Sequence, residues 1–340
     1  MSKKISLSDI AQVAGVSIAT VSYALNNSPQ VSIATRQRIS KLASEMNYQP
    51  NASGRGNRTR QSHMICMLIN TFNSLMNAEL VDDIREALLP YNYSLVVIRN
   101  SNASLIDSQM FDGLIIWNYA VPKVQIHRIV QRNRIPVVLM ANELKLKNVQ
   151  NIVLDNRNAI YDLFEIYEHS VHKKICFFRN APTTFDSIRG SYNSEERLNA
   201  CIAYMKDNHP ETNVLANTYD GHFATKPAYE LALRLLQDTA YNFFFCLNDM
   251  MAYGVYQAAQ KLGLVVGKDI SVVGFDNTPK SGEILPRLTT IDSELSKWGQ
   301  NVVASLLTRL ATPEIMINKT VRSPTKLIFG DSVRLNEDLI

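Results

Sequence analysis

Cysteine is scarce in this chain. Cys66, Cys176, Cys201 and Cys246 are the only four in 340 residues, and no two form a CxxC pair. That excludes a disulfide framework and a thiolate metal site, and the thiols read as reduced. No apolar run reaches the length of about 18 residues that a membrane helix needs. The six histidines (His63, His127, His169, His172, His209 and His222) are dispersed without HExxH or similar ligand spacing. No metal site is expected, and their roles are surface or structural ones. There is no Walker loop, no GxGxxG after the first strand, no GxSxG elbow and no kinase signature. Gly54-Arg55-Gly56 follows no strand and is no phosphate loop. These absences leave no cofactor loop and no nucleophile–base pair, so the chain does not read as an enzyme. Met1–Ile5 carries no apolar signal core, which together with the reduced thiols points to the cytoplasm.

Charge is present but unevenly placed. The 35 basic and 31 acidic residues leave a net charge of +4. Within residues 1–62, eight basic residues face only Asp9 and Glu45, so this short stretch carries +6 and the remainder −2. A cationic head on a mildly acidic body is suited to a phosphate backbone.

The head has a pattern to match. Ser6 with Asp9 three residues later reads as a capping box. Leu7, Ile10, Ala11, Val13 and Ala14 supply an apolar helix face, and Gly15 can take the left-handed C′ position. Ser17 then caps a second helix, with Val21, Ala24 and Leu25 inward and Ile18, Ala19, Ser22 and Tyr23 outward. Ser32 caps a third, where Ile39, Leu42, Ala43 and Met46 repeat at helical spacing. Two short helices joined through Ala14-Gly15-Val16-Ser17 form a helix-turn-helix, which places the chain on DNA.

Residues 49–63 are polar, basic and poor in large apolar groups, the composition of a linker. From Met64 onward, short apolar runs alternate with helical segments. Strands are predicted at Met64–Ile69, Ser94–Ile98, Gly113–Trp117, Pro136–Met140, Ile152–Leu154, Lys174–Phe178, Asn242–Leu247, Ser271–Phe275 and Leu327–Phe329. Helices are predicted near Ala78–Leu89, Lys123–Arg132, Asn158–His169, Ser194–Asn208, Lys226–Gln237, Asp249–Leu262 and Ser293–Arg309. Such alternation implies parallel sheets with helices on both faces. The strands are too many for one domain, so two α/β subdomains with a cleft between them are expected. Ligands in such sheets bind at the carboxyl ends of strands.

The chain resembles the LacI/GalR family of bacterial transcription repressors over essentially its whole length. The residues that carry the resemblance are Asp9–Asn26, Val31–Ile39, Asn47–Asn51, Phe111–Ile116, Leu247–Gly254, Asp269–Asn277 and Pro286–Ile291. The resemblance implies an α/β protein: an all-α headpiece at 1–48, a hinge at 49–63, and a doubly wound core at 64–340 of the periplasmic-binding-protein type. Subdomain 1 is expected at 64–158 and 292–318, and subdomain 2 at 159–291 and 319–335. It also implies a homodimer reading a pseudo-palindromic operator in double-stranded DNA, without a membrane, under control of a small polar metabolite such as a sugar. The absence of a leucine-heptad tail before Ile340 favours a dimer over a tetramer.

Residue roles follow from the same resemblance. Ile18, Ala19 and Tyr23 face base edges, a trio suited to thymine methyls and one hydroxyl hydrogen bond. Ser17, Thr20, Ser22, Asn26, Thr35 and Asn51 position phosphates. In the hinge, Gly54, Arg55 and Asn57 stand where relatives have Ala, Arg and a wedging Leu. Each glycine costs a helix about 1 kcal/mol relative to alanine, so a weaker hinge helix is expected, with Arg55, Arg58 and Arg60 adding charge. Arg197, Asn248 and Asp276 match effector-contacting positions and Phe223 a pocket aromatic; Arg197 is expected to fork onto two hydroxyls or a carboxylate. Phe72, Trp117 and Tyr119 follow strand ends and are candidates for the cleft wall or the core. The segment from Arg99 to Asp112 is shorter than the family pattern, so one helix of subdomain 1 is expected to be stunted or lost. The leading reading is a metabolite-responsive DNA-binding repressor. Its alternatives are the same role with a nucleobase or partner-protein effector, an α/β sugar-acting enzyme with an appended headpiece, and a transport-type receptor.

Overall fold

The computed structural model describes residues 5–25, 27–48, 61–69, 75–108, 111–117, 123–132, 135–146, 149–180, 192–312 and 320–336. The chain divides into two compact units, Met1–Ser62 and His63–Ile340.

Among the described residues the first unit holds three helices: α1 (Leu7–Ala14), α2 (Ile18–Leu25) and α3 (Ile33–Glu45). Its small core is Ile10, Val21, Ala24 and Ile39, all fully buried, with Ala11, Val31 and Ala43 around them. The α1 capping box is complete, the Ser6 amide donating to Asp9 Oδ2 at 2.8 Å and the Asp9 amide to Ser6 Oγ at 3.3 Å. Gly15 ends α1 at φ +66°, which a β-carbon would strain. Val13 is 62% exposed and leaves the apolar face assigned to it; Ile10 and Ala11 are buried in the core, and Leu7 and Ala14 pack against it partly buried. Ser6→Ala removes the side-chain acceptor of the Asp9 amide and leaves only the residue-6 amide bond to Asp9 Oδ2. It is expected to lower protection of α1 amides in hydrogen exchange by about 1 kcal/mol while leaving the second unit unchanged.

The second unit holds two lobes. A six-stranded sheet of order β11-β5-β4-β3-β1-β2 is built from β1 (Met64–Ile69), β2 (Ser94–Arg99), β3 (Gly113–Trp117), β4 (Val137–Met140), β5 (Val149–Leu154) and β11 (Thr320–Ser323). All its pairings are parallel. Strands β3 and β5 are buried along their whole length, as a sheet covered on both faces requires. Helices α4 (Leu75–Leu88), α5 (Leu105–Ser108), α6 (Lys123–Arg132) and α12 (Leu295–Ala311) belong to this lobe. Between β2 and β3 the described residues hold α5, four residues long, and Ala103, Ile106 and Phe111 of this segment join the core cluster.

The second lobe has a four-stranded parallel sheet of order β7-β6-β8-β9, formed by β6 (Ile175–Arg179), β7 (Thr218–Asp220), β8 (Phe243–Cys246) and β9 (Ser271–Val273). Helices α7 (Asn156–His169), α8 (Tyr192–Asn208), α9 (Thr225–Asp238) and α10 (Asp249–Lys261) belong to it, with a short α11 (Pro279–Glu283). Its core is aromatic, with Phe164, Phe177, Phe178, Phe243, Phe244 and Phe245 fully buried. A two-stranded antiparallel pair, β10 (Thr290–Asp292) with β12 (Lys326–Ile328), lies where the chain crosses between lobes.

Three crossings join the lobes: β5 to α7, β10 to α12, and β11 to β12. They place one boundary close to where it was expected and move another. Ala159, Ile160 and Leu163 of α7 pack into the second lobe's core, so the first crossing lies at Asp155–Asn156, beside the approximate boundary at 158. Strand β11 pairs with β5, so residues 320–323 belong to the first lobe rather than to subdomain 2. Thr-Val-Arg-Ser carries one strong strand former, and β7 (Thr-Tyr-Asp) and β10 (Thr-Ile-Asp) are three residues each, so periodicity missed all three. No helix among the described residues is long and apolar enough to cross a membrane. All four cysteines are buried free thiols.

Candidate functional site

In the first unit, α2 is clamped between α1 and α3, and only one stripe stays free. Ile18 is 47% and Tyr23 45% exposed, and Ala19 is exposed between them. Ser17 Oγ accepts from the Thr20 amide at 3.0 Å and lies 2.9 Å from the Thr20 hydroxyl. Thr35 is tied the same way in the first turn of α3, its hydroxyl 2.8 Å from Ser32 Oγ. Ser22 departs from expectation. It is 8% exposed, on the flank of α2 that also buries Val21 and Ala24, and does not stand outward beside Ile18 and Tyr23. Asn26, Asn51, Gly54, Arg55 and Asn57 lie outside the described residues, as do Phe72 and Tyr119.

Two of the head's arginines have duties that their charge alone did not signal. Arg38 Nη2 donates to the Ala14 carbonyl at 2.6 Å, closing the C-terminus of α1 from a position 24 residues away. Arg36 Nε donates to the Val31 carbonyl at 3.2 Å. Part of the head's positive charge is thus structural as well as available to phosphate.

The second constellation sits in the four-stranded sheet. Its strand order reverses between β6 and β8, the switch point at which α/β sheets open a crevice beyond their carboxyl ends. Leu247 and Asn248 follow β8, and Phe275 and Asp276 follow β9. Arg197, on α8 and 3% exposed, reaches Leu247, Phe275 and Asp276. Its Nη1 donates to the Leu247 carbonyl at 2.7 Å, its Nη2 to Asp276 Oδ1 at 3.1 Å, and its Nε to Asn156 Oδ1 at 3.0 Å. The guanidinium carbon lies 3.3 Å from the Phe275 ring centroid, a stacked cation–π contact. Arg197 is therefore no open fork: each of its three nitrogens already serves the protein, leaving two N–H groups over.

The partners are held in turn. Asn156, 1% exposed at the start of α7, donates to Asn193 Oδ1 at 3.1 Å, and Asn193 is one helical turn before Arg197. Asn248 caps α10 by accepting from the Met251 amide at 2.9 Å. Asp276 and Asn277 take φ +107° and +52°, successive left-handed residues that each cost about 1–3 kcal/mol. The next residue is pinned from below, the Thr278 amide donating to Asp249 Oδ2 at 2.8 Å, while Asp249 Oδ1 accepts from the Thr290 hydroxyl at 2.6 Å. Asp249 is fully buried. A β-carbon on Gly274 would lie 2.3 Å from its carboxylate, so glycine is what lets it sit there.

Burial, and then the nearby Asp276 charge, push the Asp249 carboxyl up to about 8. Burial raises Asp276 too, opposed by Arg197. The structure thus pairs Arg197 with Asp276, while Asn248 follows the Leu247 whose carbonyl Arg197 binds and spends its side chain on the α10 cap. Phe223 lies beyond the end of β7, half-buried at φ +50° against the lobe's core and outside that hydrogen-bonded group. Trp117 is core, its ring 5.2 Å from that of Trp298. Asn156, Asn193 and Asp249 went unrecognised in the sequence; the Asp-Asn pairs at 155–156 and 276–277 and Asn248-Asp249 at the strand ends were the available signal.

Among the described residues no group of His, Cys, Asp and Glu side chains could hold a metal ion. Residues 6–51 match the model for bacterial regulatory proteins of the lacI family, and residues 168–333 that for a periplasmic binding protein-like domain. The chain is 28% identical to the probable HTH-type transcriptional repressor ExuR of Bacillus subtilis, covering 97% of this chain and 98% of that one. It is 26% identical to the catabolite control protein A of Priestia megaterium, covering 97% and 99%. A lac repressor dimer bound to operator and the anti-inducer ONPF superposes with a TM-score of 0.84 at 23% identity, over 98% of this chain and 100% of that one. The chain is a DNA-binding transcriptional repressor of the LacI/GalR family, not an enzyme.

Proposed function

We propose that this repressor acts as a cytoplasmic homodimer on a pseudo-palindromic operator and is controlled by a sugar or sugar derivative held between its lobes. The observation that carries the sugar reading is the Arg197 cluster. A guanidinium stacked on an aromatic ring, beside a carboxylate and an amide at the ends of strands β8 and β9, offers donors and acceptors together. Neighbouring hydroxyls of a sugar ring both donate and accept, and so match such a set. Regulators of the same fold have been solved with bound ribose and as a CelR–cellobiose complex, which supports the same class of ligand. Arg197, Asn248 and Asp276 form the polar wall, and Phe223 is its aromatic edge.

A thermal-shift screen of the full chain against neutral sugars, sugar phosphates and nucleobases tests this. A sugar at 100 times its dissociation constant stabilises by about 2.7 kcal/mol. A rise with nucleobases alone contradicts the sugar reading.

In the head, Ile18, Ala19 and Tyr23 read bases, while Ser17, Thr20 and Thr35 position the backbone. The mostly apolar trio favours thymine methyls, with Tyr23 providing one polar contact. Tyr23→Phe is expected to weaken binding to a selected duplex by about three- to tenfold, leaving non-specific duplex binding unchanged in fluorescence anisotropy at matched salt. An equal loss on both duplexes removes Tyr23 from base reading.

A further inference from the structure

Glu143 follows β4 in the first lobe, on the loop that folds back over β5. It is the acceptor for three donors. Thr320 Oγ1 donates to its Oε1 at 2.8 Å, and both Arg322 Nη2, at 3.4 Å, and Tyr192 Oη, at 3.0 Å, donate to its Oε2. Thr320 and Arg322 belong to β11, in the same sheet as β4. Tyr192 does not: it is the first residue of α8, whose Leu198, Ala200, Cys201 and Met205 pack into the second lobe's core. One carboxylate therefore ties the edge of one lobe to the first turn of a helix in the other. The hydrogen bonds from Thr320 and Tyr192 hold Glu143 below the usual carboxylate range against the opposing effect of burial, so it stays ionised at neutral pH. A charged acceptor makes the stronger hydrogen bond.

The position of Tyr192 gives the tie its consequence. The same helix carries Asn193 and Arg197, so α8 is gripped at its start by the first lobe and one turn on by the Asn156 crossing and the Asp276 loop. A change in lobe placement must either carry α8 along or break the Tyr192 bond.

We propose that the Tyr192–Glu143 hydrogen bond is an interlobe tie that favours the present arrangement of the lobes, and that its release lets α8 and the ligand cluster on it move relative to the first lobe. This rests on the reading of the lobes as a ligand-responsive pair, yet its test uses neither DNA nor sugar. Its failure would therefore leave that reading standing.

The test is a pulsed-EPR distance distribution between nitroxide labels on Arg128→Cys in α6 and Asp207→Cys in α8, both exposed positions, one in each lobe. It is measured in the full chain with and without Tyr192→Phe. Tyr204→Phe is the control, because its hydroxyl bonds Glu168 Oε1 at 3.2 Å, wholly within the second lobe. Tyr192→Phe should enrich distances outside the wild-type peak about fivefold, and Tyr204→Phe should leave the distribution unchanged. A second variant, Glu143→Ala, should reproduce the Tyr192→Phe distribution. Distributions for Tyr192→Phe and Glu143→Ala that superpose on the wild type would overturn the proposal, as would an equal change in Tyr204→Phe.

Discussion

Arg197→Ala lowers the stability of the two-lobed core by about 3–5 kcal/mol and removes any sugar-induced rise in its melting temperature. The first effect follows from what the guanidinium leaves behind. Asp276 loses its cation, and the Leu247 carbonyl and the Asn156 amide oxygen each lose a donor, in a place where Arg197 itself is 3% exposed. Removing one member of a buried pair strands the other charge, and that penalty exceeds what the pair contributes net. Lysine does not substitute, because one ammonium on a flexible stem cannot span three acceptors fixed by a planar fork. Arg197→Lys is expected to recover part of the stability and little of the ligand response. Chemical denaturation followed by intrinsic fluorescence measures the first effect, and the thermal-shift assay the second. The head is a separate compact unit with its own core, so duplex binding should persist below the melting transition. A variant as stable as wild type would show that the Arg197 bonds are not made in solution.

Asp249→Asn reverses the usual direction of a buried-charge mutation: it stabilises, and increasingly so with rising pH. The folded carboxyl titrates at about 8 against an ordinary value of 3.8. Below pH 4 both states are protonated, and the group costs nothing. Between pH 4 and 8 the unfolded state ionises and the folded state does not, so stability is lost at up to about 1.4 kcal/mol per pH unit. Above 8 the loss is complete and the curve is level. Asparagine removes the titration and keeps the geometry. Its oxygen can accept from the Thr278 amide, and its amide can donate to the Thr290 hydroxyl, which turns to accept. Wild type and variant should match in urea midpoint near pH 4 and separate by several kcal/mol near pH 8. A separation independent of pH would show that the Asp249 carboxyl is ionised in the folded protein throughout.

The sequence was most legible where local chemistry decides structure. Ser6, Ser17 and Ser32 mark helix starts by their side-chain oxygens and Gly15 a helix end by its left-handed backbone, and all four stand at the positions read from them. Strands of five or six buried residues, such as β1 and β3, were equally visible as apolar runs. Legibility failed where tertiary contact decides. Ser22 is polar and lies on an apparently open stripe of α2, yet the flanking helices bury it. Strand β11 is set by its pairing with β5, not by Thr-Val-Arg-Ser. At the Arg197 cluster, the resemblance gave Arg197 and Asp276 but not that they bind each other, because residues 79 apart have no sequence signature for pairing. Asp249 shows the same limit: it reads as an acid in the first turn of a helix, and only the folded chain buries it against Gly274.

The central claim is that a molecule captured at the Arg197 cluster alters how the head holds DNA. The most direct measurement is fluorescence anisotropy of a duplex selected from a random pool by the full chain, titrated with protein at fixed salt in the presence and absence of a sugar that raises its melting temperature. The account predicts a selected site with approximate two-fold symmetry. Its dissociation constant should change by about 5- to 150-fold on adding the sugar, with no change for Arg197→Ala. An affinity for the duplex that is the same with and without a sugar already shown to bind the core would contradict it.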